Sequence, residues 1–238
     1  KNIPFTLLIN QEHPKRINSI TIERENNEEQ YFASPQPTFI DGVQFISSNT
    51  EYGVLFCSSN KLIIGIPAKK TGTSYQLLPM DKQAVIFKEF PLIGTENFNL
   101  PVIIQHKDFQ PTELRDGIRT KKEFDEVDDP IADKNRNSLI EFINEYLIFI
   151  EKLINANLKD IYLLAKSGLP EFVENFSNIQ WYQNNIQKTI RNFLYKKSIV
   201  ETCSGDLIKI SQSKFLKYKS PQKESFYGLL SELIPGRS

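Results

Sequence analysis

Cysteine, histidine, methionine and tryptophan are all scarce in this 238-residue chain, which holds two, two, one and one of them. Cys57 and Cys203 are too few for a disulfide framework, and with His13 and His106 far apart in sequence they match no zinc-ligand spacing. A reducing, cytoplasmic setting is the expectation. No histidine is placed by sequence to activate either thiol, so both cysteines are expected to be inert. The ten glycines are scattered singly, and neither G-x-G-x-x-G nor a Walker loop is present. Backbone amides therefore have no glycine loop in which to close on phosphate, and tight nucleotide binding by this chain alone is not expected. G-x-S-x-G and H-E-x-x-H are likewise missing. An excess of one charge is also lacking, with Lys+Arg and Asp+Glu at 29 each. No global field marks nucleic acid or membrane as the partner. No apolar run approaches the eighteen or so residues of a membrane span, and Lys1 to Asn10 lack the layout of a signal peptide. The chain opens on Lys1, and a piece of a longer polypeptide is the expectation.

Hydrophobic residues make up 39% and charged residues 24%, the values of a globular protein with a real core. Over the first hundred or so residues, short apolar runs alternate with turn formers and predict strands. The runs are Phe5 to Ile9, Ile17 to Ile22, Gln30 to Ala33, Val43 to Ile46, Tyr52 to Cys57, Leu62 to Ile66, Ser74 to Leu78, Ala84 to Phe87 and Pro101 to Gln105. Asn26-Asn27, Asp41-Gly42, Ser58-Ser59-Asn60 and Lys70-Thr71-Gly72-Thr73 between them suit hairpin turns. A mainly antiparallel sheet follows.

Apolar residues then thin out from Gln110 to Lys134, where Glu123, Asp125, Glu126, Asp128, Asp129 and Asp133 dominate. These acids lack the ligand spacing and turn glycine of a calcium loop, and a solvated loop is the expectation. Asp129-Pro130 is a good helix start, because Asp caps free amides and proline suits the first helical position. Ile140, Ile143, Leu147, Ile150 and Ile154 recur at three- and four-residue steps and predict one helix from about Pro130 to Asn157. A shorter helical piece around Leu158 to Lys166 stops at Ser167-Gly168, and another helix spans about Ser177 to Lys196. Ile199 to Glu201 and Leu207 to Ile210 flank Cys203-Ser204-Gly205-Asp206 as a hairpin, and Phe226 to Leu233 is a candidate terminal helix. The fold class is α+β, with a β-rich domain over residues 1–129 and a helical region over 130–238 packed on it.

The stretch from Lys88 to Thr120 carries the functional signal. It reads as a strand ending at Phe90, a polar loop through Asn99, a buried strand Leu100 to Gln105, and an extended Phe109-Gln110-Pro111 leading to Arg115-Asp116-Gly117. An aromatic and a proline before that turn form a stiff approach able to hold an arginine outward. The run Phe90-Pro91-Leu92-Ile93, Leu100-Pro101-Val102, Phe109 and Leu114-Arg115-Asp116 resembles the segment that follows the nucleotide-binding domain in sacsin and its bacterial relatives. These proteins carry a GHKL ATPase domain like that of the ninety-kilodalton heat-shock chaperones. The resemblance extends loosely to Tyr162 to Pro170 and to Ser198 to Thr202. It implies the middle, or transducer, region of a chaperone-type ATP-binding protein, silent in isolation. ATP and Mg²⁺ would be held by a preceding GHKL domain of the same chain, whose D-x-G-x-G and G-x-x-G-x-G loops are absent here. The resemblance also implies a basic residue offered to the γ-phosphate. Arg115 matches that position, Arg119 is the alternate, and Glu113 is a candidate to orient either arginine through a salt bridge.

Two other function classes compete. From Lys188 to Lys223, nine basic residues stand against Glu201 and Asp206, with Phe193, Tyr195, Phe215 and Tyr218 interleaved. Such a face suits a nucleic-acid-binding module, through phosphate neutralisation and stacking. The stripe of the long helix suits a protein client or a homodimer, although internal packing is the commoner fate of such stripes.

Overall fold

The computed structural model describes residues 3–10, 17, 19–25, 27–32, 38–40, 42–47, 51–80, 82–121, 129–156, 158–168, 178–202 and 205–213. The architecture is α+β. Strands β1 (Ser19–Arg24) and β2 (Asn27–Phe32) form a separate antiparallel hairpin. The main sheet comprises β3 (Thr38–Ile40), β4 (Val43–Ser47), β5 (Tyr52–Ser58), β6 (Leu62–Thr71), β7 (Ser74–Leu77), β8 (Ile86–Lys88), β9 (Phe90–Pro91) and β10 (Ile103–His106). Its spatial order is β3-β4-β5-β6-β10-β8-β9, with β7 paired to the far half of β6. All pairings are antiparallel except β8 with β10, which run parallel through Ile104↔Ile86.

The central strand β6 is buried without interruption from Leu62 to Ile66, as expected for a sheet covered on both faces. One cover is helix α1 (Ile3–Ile9), and here the sequence reading fails, because Phe5 to Ile9 is helical rather than extended. A short apolar run cannot distinguish the two states by periodicity, and a helix apolar on every side is one that is buried all round. Gly65 permits the close approach: a Cβ there would lie 2.6 Å from the Phe5 ring. The other cover is helix α2 (Pro130–Asn155), whose Phe149 and Ile148 line a small pocket with Leu62 and Ile64 of β6. Asp129 caps α2 by accepting the Ala132 N–H at 3.0 Å, with Pro130 at the first turn. At 1.5 Å per residue the 26-residue helix is about 39 Å long.

Beyond α2, the piece expected around Leu158 to Lys166 is a 3₁₀ turn over Ile161–Ala165, begun by Asp160 at a left-handed φ of 57°. The next helix starts at Asn178, whose side chain accepts the Trp181 N–H at 2.9 Å. It runs through α3 (Ile179–Tyr182), one π-helical stretch (Gln183–Gln187) and α4 (Lys188–Leu194). Strands β11 (Ser198–Glu201) and β12 (Leu207–Lys209) close the late hairpin with a register irregularity between Ser198 and Val200. A single hydrophobic cluster contains α1, the main sheet, α2 and α4 residues alike. Cys203, the acidic positions 123–128 and the segment Phe226 to Leu233 lie outside the described residues.

Candidate functional site

The Lys88 to Thr120 stretch forms two loops at one end of the sheet. Instead of continuing to Phe90, the first strand reverses at Glu89, which adopts a left-handed φ of 67°, and Phe90–Pro91 folds back on Ile86–Lys88. Buried Thr95 fixes the return: its Oγ1 accepts the N–H groups of Val85 and Ile86 at 3.2 and 3.1 Å and donates to the Leu92 carbonyl at 2.7 Å. The second loop leaves β10 at His106, which is wholly buried. Its Nδ1 accepts the Asp108 N–H at 3.1 Å, so Nε2 carries the proton and donates to the Glu141 carboxylate, also at 3.1 Å. Burial lowers the ring's pKa below its ordinary 6.5, outweighing the pull of Glu141 in the other direction. The histidine is a neutral structural link between β10 and α2.

Arg115 sits at the tip of the second loop. Pro111 and Ile118 bridge across its base, Thr112 donates its N–H to the Gly117 carbonyl at 3.0 Å, and Arg115 donates its own N–H to the Thr112 carbonyl at 3.0 Å. Thr112 Oγ1 also bonds the Asp116 carboxylate and accepts the Asp116 N–H at 3.2 Å. This small closed turn holds Arg115 at a φ of 55°. A left-handed conformation is unfavourable for a side chain of this kind, and glycine or asparagine would relieve it. Strained non-glycine residues of this sort concentrate at working sites. The guanidinium is exposed and donates through Nη2 to the Lys88 carbonyl at 2.8 Å. One such bond leaves most of its five donors unused.

The other two residues expected at this site do not join Arg115. Arg119 is at the base of the loop, where its Nη2 meets the buried Asp129 carboxylate at 3.1 Å, beside the helix cap. Glu113 is exposed and, among the described residues, forms no ion pair with either arginine. Lys88 was not singled out by sequence, yet its main-chain carbonyl is the group that Arg115 holds. Its Nζ donates to the Lys107 carbonyl, and burial lowers its pKa, with Lys134 and Arg115 adding like-charge repulsion against the opposing effects of Glu89 and Asp108. Across the same sheet end, Asp108 is shared by Lys61 at 2.9 Å and Lys134 at 3.9 Å.

A second residue missed by sequence is Asn135, fully buried in the second turn of α2. Its Oδ1 accepts the Gln110 N–H at 2.7 Å, and its Nδ2 donates to the carbonyls of Gln110 at 3.0 Å and Arg119 at 2.9 Å. One amide therefore clamps both stems of the Arg115 loop to the helix. Arg136 adds a bond from Nε to the Thr120 carbonyl at 2.7 Å, and Thr120 Oγ1 accepts the Asn178 N–H at 3.1 Å. A signal was present: Asn135 falls on the apolar stripe with Leu139 and Phe142, where an unpartnered amide would be costly.

Elsewhere, burial pushes the Cys57 thiol up to about 12, which keeps it protonated and unreactive near neutrality. Among the described residues no three His, Cys, Asp or Glu side chains converge as a metal site, and no helix is long and apolar enough to cross a membrane. Comparison of the chain with protein-family models, with curated proteins and with solved structures finds no match.

Proposed function

We propose that this chain is the middle region of a sacsin-like, chaperone-type ATP-binding protein, which completes the ATPase site of a preceding GHKL domain and passes its nucleotide state onward. The observation that carries the reading is Arg115: an exposed guanidinium, bonded to a neutral carbonyl and held in a strained, closed turn. A guanidinium is planar and permanently charged, and it grips phosphate oxygens with two parallel hydrogen bonds. Brought to ATP held by the adjoining domain, it would stabilise charge developing on the transferred phosphoryl group. ATP and Mg²⁺ belong, on this reading, to that domain. The ion pair of Arg119 with Asp129 favours Arg115 as the donor. Onward transmission has a route through Asn135, since movement of the loop stems loads the first turns of α2 directly.

The test is Arg115→Ala in the full-length protein. Turnover should fall by about 10³-fold or more, the range for basic residues that complete a phosphoryl-transfer site, while ATP affinity stays within about twofold. Unchanged turnover would refute the reading. The nucleic-acid alternative draws less support. In its basic segment, Arg191 donates to the Ser167 carbonyl at 2.9 Å, and Lys197 pairs with Glu151 while covering the Phe193 ring at 4.8 Å.

A further inference from the structure

An apolar groove of about 570 Å³ lies between the 3₁₀ turn Ile161–Ala165 and the late hairpin, and no residue of the Arg115 loops lines it. Tyr162 and Ala165 form one wall and Ile199 and Val200 of β11 the other, while Ile210, directly after β12, completes the lining. That volume falls within the range of sites that take up apolar ligands and side chains. Tyr162 is 51% exposed. On the hairpin, Ile199 is wholly buried, whereas Val200 and the residue opposite it, Ile208, are half-buried. Among the described residues, the hydrophobic cluster reaches the hairpin and its flank through Ile199, Leu207 and Ile210 and stops short of the Val200–Ile208 pair. A two-stranded hairpin is marginal by itself and depends on what covers it.

The chain itself selects the occupant. Ile210, part of the groove lining, comes three residues before Ser213, where the described chain leaves the hairpin. Beyond it, Phe226, Leu229, Leu230 and Leu233 fall at i, i+3, i+4 and i+7, the apolar stripe of a helix that Pro235-Gly236 would stop. An amphipathic helix laid in an apolar groove through anchors at that spacing is a recurring mode of recognition. The connecting residues 214–225 reach at most about 40 Å when extended and roughly 20 Å on average. A tether of that length presents the stripe to the groove at an effective concentration of about 1 mM, far above what a second copy or a free peptide supplies. A small apolar molecule would fill the groove and leave the stripe in water, whereas the tethered segment buries both at once.

We infer that residues 226–233 dock as a helix in this groove, covering Tyr162 and Val200 and completing the cover of the hairpin. Hydrogen exchange on the 238-residue chain tests this, with a synthetic peptide of residues 221–238 as the unprotected reference. An undocked helix of this length is marginal in water, so protection reports docking. Amides of 226–233 should exchange at least about tenfold more slowly in the chain than in the peptide. Leu229→Ser with Leu230→Ser should erase that protection, and so should Tyr162→Ser and Val200→Ser, made separately on the two walls. Tyr162→Ser is the safer groove variant for the fold, because half of that residue is already exposed, and unchanged exchange in β5 and β6 shows that the core has survived. Peptide-like exchange at 226–233 in the wild-type chain would overturn the inference. Protection that survives both groove variants would overturn it as well, because the segment would then be seated elsewhere. Protection that rises with protein concentration would assign the groove to a segment of a second copy, and the tethered dock would fall.

Discussion

Removing the Asn135 amide is the sharpest structural perturbation of this site. In Asn135→Ala, three hydrogen bonds of 2.7, 3.0 and 2.9 Å disappear at once, and their former partners are one donor and two acceptors of the main chain. A net hydrogen bond contributes about 1 kcal/mol, and a buried group left unpaired costs about 1–3 kcal/mol, so a loss of about 3 kcal/mol is expected if water reaches some of them. For a chain of this size that lowers Tm by about 6–12 °C. Asn135→Asp keeps an acceptor for the Gln110 N–H but sets a carboxylate against two carbonyls, and should be no better. The readouts are urea unfolding for the total and amide hydrogen exchange for its location. Exchange should accelerate at Gln110 and through residues 111–120, with β4, β5 and β6 unaffected. A loss below about 1 kcal/mol, or an unchanged Gln110 amide, would show that the clamp does not hold the loop.

His106 and Gly94 give two further tests. Below pH 6.5 the unfolded chain takes up a proton at His106 that the folded chain resists, so stability should decline from that pH downward and level off once the folded ring itself titrates. His106→Gln should remove this part of the slope in denaturation curves recorded between pH 4 and pH 8, in steps of about one unit, and an unaltered slope would mean that the ring is not held neutral. Gly94→Ala places a Cβ 2.6 Å from the Asp116 carbonyl oxygen at a φ of 113°, whereas Gly72→Ala, at a φ of 61°, meets nothing within 4 Å. The first should cost about 2–4 kcal/mol, the φ strain plus the clash, and the second about 1 kcal/mol by chemical unfolding. Equal losses would remove the close loop contact from the account.

Local chemistry alone was enough to specify several elements. The long helix is legible because Asp129-Pro130 supplies its start and a dense apolar stripe supplies its face, and both act within a few residues of chain. The β-rich first half is legible in the same way, since turn residues punctuate half-buried runs. The stiff approach to Arg115 follows from Phe109 and Pro111, the first buried and the second bridged to Ile118. What needed the tertiary structure was every choice that depends on partners distant in sequence. The helix over Phe5 to Ile9 packs closely on the sheet because Gly65 of β6, sixty residues away, leaves room for the Phe5 ring. The two arginines four residues apart have the same chemistry in the sequence. Packing alone separates them, placing one against the carboxylate of Asp129 and leaving the other at an exposed tip whose geometry is fixed by Thr112, Gly94 and, from the far side of the acidic connection, Asn135. Periodicity reports the faces of single elements, and only the folded chain decides which faces meet.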